Sequence, residues 1–219
     1  THGLYAPCFD FLDRCFLPAV NAMGPKVCAR IESYGFFPVG GGRIAASIEP
    51  ADGLGRLDLL EADERRRITA RSCVAMLSHE ICQREMKILK ERLGLADEDC
   101  TMETNVSSPG CGNYLFVEVQ TGSPVPACFT GMGKKRLPAE HVADSVAKDV
   151  LGFLDTGAVV ERHLADQLLL PMALGAGGSF RTPRPSAHTL TNIEVIHLFL
   201  DANIRVEQET ERIWRIDVG

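Results

Sequence analysis

The spacing of apolar residues divides the first fifty positions into one helix and two strands. A helix is predicted for residues 9–23, with one face formed by Phe9, Leu12, Phe16 and Val20. Pro18 lies inside this helix and predicts a kink, because proline removes one backbone hydrogen bond. Alternating apolar residues then predict strands at residues 27–31 and 44–48. The glycine-rich segment 34–42 between them indicates a hairpin with a long loop.

The middle of the chain also alternates between strands and helices. A strand is predicted at residues 68–77, and Ser78 is the expected N-cap of a helix that ends at Gly94. The apolar face of this helix consists of Cys82, Met86, Leu89 and Leu93. A strand at residues 115–119 follows, then a helix whose repeating apolar positions are Val142, Val146 and Val150. We therefore expect residues 56–156 to form a compact inserted α/β domain.

The last third predicts two helices and two strands. The first helix covers residues 160–174, and a loop rich in Gly, Pro and Ser covers residues 175–187. The second helix carries Ile193, Ile196 and Leu200 on one face. Alternation predicts the closing strands at residues 204–206 and 214–218. Together these patterns indicate an α/β fold.

Composition excludes several classes of protein. The chain of 219 residues is 45% hydrophobic and 24% charged, which is ordinary for a globular protein. No apolar run approaches the roughly 18 residues that cross a bilayer, and the first residues lack the order of a signal peptide. We expect a cytoplasmic protein with no membrane partner. The eight cysteines form no CxxC pair, which favours reduced thiols over disulfides or structural zinc.

The net charge of −6 argues against general electrostatic coating of nucleic acid. Contact with a polynucleotide would have to be local. Basic residues cluster at residues 134–136 and at Arg181 and Arg184, although a short charge run is most often a solvated surface. These clusters permit RNA binding without indicating it.

Two groups of polar residues are candidates for chemistry. Helical spacing places His163, Asp166 and Gln167 on one face, which either is solvated or lines a site. His188 lies between a flexible loop and a helix expected to begin near Thr189. A helix start attracts phosphate, and an unprotonated imidazole there is able to attack phosphorus, although capping or packing is the commoner role for such a histidine.

The glycine run 40–42 does not by itself indicate a nucleotide site. It matches neither the phosphate-binding loop with its GK[ST] ending nor the G-x-G-x-x-G of a dinucleotide fold. A turn that connects two strands is the default interpretation.

Three segments, in this order along the chain, resemble the RNA 3′-terminal phosphate cyclase family. They are residues 34–44 (YGFFPVGGGRI), 163–174 (HLADQLLLPMAL) and 185–192 (PSAHTLTN). The resemblance implies sheets backed by paired helices in repeated units. It also implies a core formed by residues 1–55 and 157–219, with residues 56–156 inserted. Family members are about half as long again, so we expect a piece of a longer protein with exposed apolar surface.

The resemblance also implies the chemistry. It implies ATP-dependent, ligase-type conversion of an RNA 3′-terminal phosphate to a 2′,3′-cyclic phosphate, with a divalent metal, magnesium or manganese. His188 would be the residue that becomes linked to AMP. The residues expected to contact the nucleotide are Pro7, Phe11, Phe129, His163, Asp166 and Gln167.

Two other functions stay open at this point. A non-catalytic cyclase-like ribosome-biogenesis factor would share the fold, but it would be expected to lack the nucleophile, and His188 is present. An enolpyruvyl-transferase-like enzyme would be built similarly and would need no histidine nucleophile.

Overall fold

The computed structural model describes residues 1–4, 6–62 and 66–219. Its first helical stretch is continuous and consists of α1 (Phe9–Phe11), a π-helical segment (Leu12–Phe16) and α2 (Leu17–Ala22). The other helices are α3 (Glu80–Leu93), a 3₁₀ turn (Asp97–Asp99), α4 (Ala139–Thr156), α5 (Arg162–Ala173) and α6 (Ala187–Phe199). The strands are β1 (Lys26–Ser33), β2 (Arg43–Glu49), β3 (Leu57–Leu59), β4 (Ile68–Ala75), β5 (Cys100–Thr104), β6 (Gly112–Val119), β7 (Ala127–Met132), β8 (Gly178–Thr182), β9 (Ile204–Gln208) and β10 (Trp214–Val218).

The first four-stranded sheet has the order β5-β4-β6-β7. β4 is parallel to β5 and antiparallel to β6, as expected when a helix connects two parallel strands. Strand β6 is buried on both faces. Leu115 and Val117 pack with α3 and α4, whereas Tyr114 and Phe116 belong to the core beside the first helix. A central strand therefore joins two hydrophobic cores.

The first helix is attached to this sheet by polar contacts. Arg14 donates two hydrogen bonds to the buried carboxylate of Glu118 on β6, at 3.0 and 3.4 Å. The Cys15 thiol donates to the Pro126 carbonyl at 3.1 Å. Pro18, where a kink was expected, is the second residue of α2 and follows the π-helical segment by two residues. These contacts hold the first helix against the face of the sheet opposite α3 and α4.

The second four-stranded sheet has the order β3-β8-β10-β9, and α5 and α6 pack beside it. Its second strand, β8, lies inside segment 175–187, for which a loop was the expectation; that expectation is wrong. The chain needs glycine at the start of β8 because the backbones of β8 and β3 approach closely there. A Cβ on Gly178 (φ +143) would lie 1.8 Å from the Leu57 carbonyl oxygen. Glycine-rich composition suggested a loop, but the glycines allow strand pairing.

The observed elements confirm the α/β class, because each four-stranded sheet is accompanied by a pair of helices. The hairpin is also as expected: β1 and β2 pair antiparallel, with Val27 opposite Ile48. α3 starts at Glu80 rather than directly after Ser78, and Gly94 ends it in the left-handed region. The short strands β3, β5 and β7 had no clear sequence signal.

The division into a core and an insert stays a prediction. Strand β3 pairs in parallel with β8, so Leu57–Leu59 belongs to the second sheet. An inserted unit that begins at Ile68 fits this pairing better than one that begins at residue 56. In the parts of the chain that the structure describes, no helix combines the length and hydrophobicity needed to cross a bilayer.

Gly178→Ala should destabilise the protein by about 2 kcal/mol or more, because the new Cβ collides with the backbone of β3 in a backbone conformation that strains alanine. Urea denaturation would measure the change in the free energy of unfolding.

The control is Gly152→Ala in α4, where nothing lies within 4 Å of the added Cβ. This variant should gain about 0.5–1 kcal/mol from reduced backbone entropy. Equal stability of the two variants would contradict the close approach of β3 and β8.

Candidate active site

Helices α5 and α6 begin at the same end of the second sheet. The backbone N–H groups of Val159 and Val160, just before α5, both donate to the Arg181 carbonyl near the end of β8, at 3.2 and 2.9 Å. β8 then leads through the short loop 183–186 into α6. The side chain of Asn192 on α6 donates to the backbone oxygen and to Oδ1 of Asp166 on α5, at 3.0 and 3.1 Å. The two helices therefore run side by side in the same direction.

His188 is the second residue of α6 and is exposed. The helix is capped by Ser186, whose Oγ accepts from the Thr189 N–H at 3.1 Å. His188 precedes Asn192 by one helical turn, about 6 Å along the axis. Since His163 precedes Asp166 by three residues, the two histidines occupy the first turns of neighbouring helices. This brings together two of the predicted site residues.

A buried carboxylate organises the start of α5. Glu161 accepts from the backbone N–H groups of Leu164 and His163, at 2.6 and 2.8 Å. The same carboxylate contacts Nδ1 of His163 at 3.0 Å. This hydrogen bond raises the pKa of His163, against the opposing effect of burial. Glu161 had not been identified from the sequence, because the predicted helix began at residue 160 and glutamate is not among the usual N-cap residues.

A pocket of about 440 Å³ lies between the first helix, the hairpin and α5. Its walls are formed by Thr1, Gly3, Ala6, Pro7, Cys8, Phe9, Phe11, Leu12, Phe16, Ile44 and Gln167. Three predicted nucleotide contacts, Pro7, Phe11 and Gln167, are thus together. Apolar and aromatic walls with one amide suit a flat heteroaromatic ring. Gln167 is one turn beyond His163 on α5, so the pocket and the first histidine share a helix face.

Phe129 is not brought together with the other predicted residues. Its ring packs against Phe153 of α4, with ring centroids 5.5 Å apart. The neighbouring residue on β7, Thr130, points the other way and contacts the pocket-lining Cys8, at 3.5 Å. Alternation along a strand explains why only one of these two adjacent residues lies on the side of Cys8.

Behind the pocket lies a buried polar cluster that the sequence had not indicated. Nε2 of His2 contacts Asp10 at 3.3 Å, and Arg71 also pairs with Asp10. Burial, with the nearby charge of Arg71 acting in the same direction, lowers the pKa of His2 to about 3. The ring of His2 stacks on Tyr34 at 5.2 Å. The cluster holds the first residues of the chain against segment 34–44.

His2, Cys8 and Asp10 offer metal-ligand atoms within 4.8 Å of one another. However, both oxygens of Asp10 are already paired, one with His2 and the other with Arg71. This pairing accounts for the grouping without an ion, and we assign no metal to it.

The two basic candidates near α6 differ in availability. The guanidinium of Arg181 is engaged by Glu209 at 2.6 Å and by the Leu60 carbonyl at 2.8 Å. Arg184 lies in the loop that leads to His188 and is exposed. Arg184 is therefore the better placed of the two for an external anion.

The combination of paired parallel helices, a capped helix start with a histidine and an apolar pocket fits a nucleotide-handling α/β protein. Comparison with known families identifies which one. Residues 1–206 match the family described as RNA 3′-terminal phosphate cyclase, and the chain belongs to that family.

Curated relatives carry the same name. The RNA 3′-terminal phosphate cyclase of Koribacter versatilis is 42% identical over 209 residues, covering 95% of this chain and 59% of the relative. That of Pseudomonas aeruginosa is 38% identical over 204 residues, covering 93% and 59%. That of Salmonella agona is 36% identical over 213 residues, covering 97% and 61%. The chain thus spans about three fifths of the length of these relatives.

Glu161→Ala should lower the free energy of unfolding by about 0.5–2 kcal/mol, because it removes the cap of α5. It should also lower the pKa of His163, measured by NMR titration of the ring. In the parent protein, the contribution of this pair to stability is present below the ordinary pKa of 6.5 and is lost as the pH rises through the raised pKa.

Glu194→Ala, which removes an exposed carboxylate from α6, is the matched control and should change neither quantity. An unchanged His163 pKa in Glu161→Ala would mean that the contact with Glu161 does not control this histidine.

Proposed function

We propose that the complete protein converts an RNA 3′-terminal phosphate to a 2′,3′-cyclic phosphate at the expense of ATP, through an AMP adduct on His188. The observation that carries the proposal is the pairing of α5 and α6 by Asn192 and Asp166. This pairing holds α6, which carries the exposed His188, beside α5, whose residue Gln167 lines the apolar pocket.

The pocket supports binding of the adenine ring. Pro7 and Phe11 offer flat apolar surfaces, and Gln167 offers an amide that both donates and accepts hydrogen bonds. His163, one turn away, would extend the stacking surface towards the ribose and phosphates. Phe129 would join this set only if its ring left Phe153.

In the proposed first step, an unprotonated ring nitrogen of His188 attacks the α-phosphorus of ATP. A nitrogen–phosphorus bond forms and pyrophosphate leaves. The free N–H groups at the start of α6 favour the negative phosphate next to this residue. The role of the protein here is mostly positioning, which requires that α6 be held in register with α5.

In the second step, an oxygen of the RNA 3′-phosphate attacks the same phosphorus. His188 is released and a mixed anhydride of RNA and AMP forms. The adjacent ribose 2′-OH then attacks the 3′-phosphorus, closing the cyclic phosphate; AMP leaves and the hydroxyl proton passes to solvent. Arg184 is the candidate for holding the RNA phosphate, because it is exposed in the loop that precedes His188.

A divalent cation, magnesium or manganese, would neutralise charge on the triphosphate. None of the described residues that line the pocket carries a carboxylate, so we derive no step from the cation.

The non-catalytic ribosome-biogenesis factor is the second candidate. It would share the family fold, so the fold does not separate the two functions. The exposed His188 at a capped helix start favours the enzyme.

His188→Asn should abolish covalent labelling of the protein by ATP labelled on the α-phosphate. The fold should be unaffected, because the side chain is exposed and makes little core packing. Scintillation counting of acid-precipitated protein is unsuitable, since the adduct is expected to be acid-labile. The label should be read on gels run at alkaline pH.

His197→Asn is the matched control, because His197 is also exposed and lies near the other end of the same helix. It should label like the parent protein. Retention of label in the His188 variant would show that another residue is the nucleophile.

His163→Ala should weaken ATP binding about fivefold, which corresponds to the loss of ring stacking worth on the order of 1 kcal/mol. The rate of labelling at saturating ATP should change less. An affinity equal to that of the parent protein, measured by the ATP dependence of labelling, would contradict a contact between His163 and the nucleotide.

A further inference from the structure

Three loops meet at one end of the first sheet: the hairpin loop between β1 and β2, the loop after β4 and the loop after β7. Val39, in the hairpin loop, packs against Gly110, where an added Cβ would lie 2.7 Å from the valine. Gly112 opens β6 opposite Ala75, the last residue of β4. On the other side of β6, Gly133 donates to the Asn113 carbonyl at 2.9 Å and opens the loop after β7. The ends of β4 and β7 and the hairpin loop are therefore neighbours.

This end of the sheet presents apolar side chains to solvent. Phe36 points inwards against His2, whereas the next residue, Phe37, is 67% exposed. Met76, just after β4, is 71% exposed. The exposed apolar residues of the three loops are Phe37, Val39, Met76, Leu77 and Leu137. With residues 134–136, we call these the sheet-end surface.

Positive charge accompanies the apolar residues. Lys134, Lys135 and Arg136 are consecutive and exposed in the loop between β7 and α4. The first turns of α3 and α4 carry one acidic residue each, Glu80 and Glu140. Glu140 is neutralised by two contacts of 2.6 Å with Arg84, so Glu80 is the remaining negative charge in these two turns. The local balance is positive although the whole chain carries −6.

The sheet-end surface is continuous with the candidate active site. The hairpin loop closes on Thr1, since a Cβ on Gly42 would lie 2.6 Å from the Thr1 side chain. Thr1 lines the pocket, as does Ile44, two residues beyond Gly42. The hairpin loop that carries Phe37 therefore contacts both the pocket, at Thr1, and the end of the first sheet, at Gly110.

We propose that the sheet-end surface binds the single-stranded RNA that precedes the reacting 3′-phosphate. This inference rests on the proposed function, because it takes the substrate to be RNA. Exposed aromatic and apolar side chains give bases a surface on which to stack, and consecutive basic residues track the phosphates without reading sequence. A protein partner would not require the basic loop, and the charge therefore favours RNA.

The test measures binding of a fluorescent single-stranded RNA of roughly ten nucleotides that ends in a 3′-phosphate. Fluorescence anisotropy is recorded over a range of salt concentrations. The triple variant Lys134→Ala/Lys135→Ala/Arg136→Ala should bind at least about tenfold more weakly and should reduce the slope of log K against log salt by about 2. Phe37→Ala should weaken binding about fivefold or more, with an unchanged slope.

Matched controls lie elsewhere on the surface. Arg205→Ala removes an exposed charge from β9, and Phe199→Ala removes an exposed aromatic ring from the end of α6. Both should bind RNA like the parent protein. Circular dichroism checks that each variant is folded.

The outcomes separate this inference from the proposed function. Weaker RNA binding by the triple variant and by Phe37→Ala, but not by the controls, supports the surface. RNA binding unchanged in both variants overturns it, even if His188 is labelled by ATP. Absence of labelling in the parent protein would contradict the proposed function, while the anisotropy series would still report on the surface independently.

Discussion

The pair of hydrogen bonds from Asn192 to Asp166 is the constraint on which the candidate site depends. One bond goes to a backbone oxygen and the other to a carboxylate, so the amide fixes both the position and the rotation of α6 relative to α5. Each such bond contributes only about 1 kcal/mol to stability. The two bonds matter because they fix the register of α6 against α5. A shift of α6 by one residue would rotate His188 by about 100° away from its observed direction.

The second sheet makes this register achievable. α5 starts where Val159 and Val160 bond to the end of β8, and α6 starts after the loop that leaves the same strand. The strand lies between β3 and β10, and its glycine allows the close approach of β3. One strand, β8, therefore fixes where both helices start. The first helix packs in the core that it shares with α5 and the second sheet, and it brings Phe11 and the preceding Pro7 to the same region.

The sequence predicted the long elements well because their apolar periodicity is strong. The first helix, α3, α4, α5 and α6 are all confirmed, and so are the hairpin and the two final strands. Strand β8 was wrongly expected to be loop, because glycines that permit close pairing have the same composition as glycines that permit a turn. Strands β3 and β5 lie near sheet edges and carry little alternation.

The candidate site was predictable only in part. The pocket does bring together Pro7, Phe11 and Gln167. Pro7 and Phe11 came from the family resemblance alone, whereas Gln167 had also been singled out by helical spacing. Contacts between residues far apart in the chain, such as Arg71 with Asp10, leave no local pattern from which they could be inferred. The packing of Phe129 on Phe153 belongs to this group, since periodicity does not reveal which face of β7 meets α4.

The most direct test of the account is a crystal structure of the protein with a non-hydrolysable ATP analogue. The account predicts that the base lies in the pocket against Pro7 and Phe11 and that the α-phosphorus lies about 3–3.5 Å from a ring nitrogen of His188. A base bound elsewhere, or an α-phosphorus within reach of a different nucleophile, would contradict it.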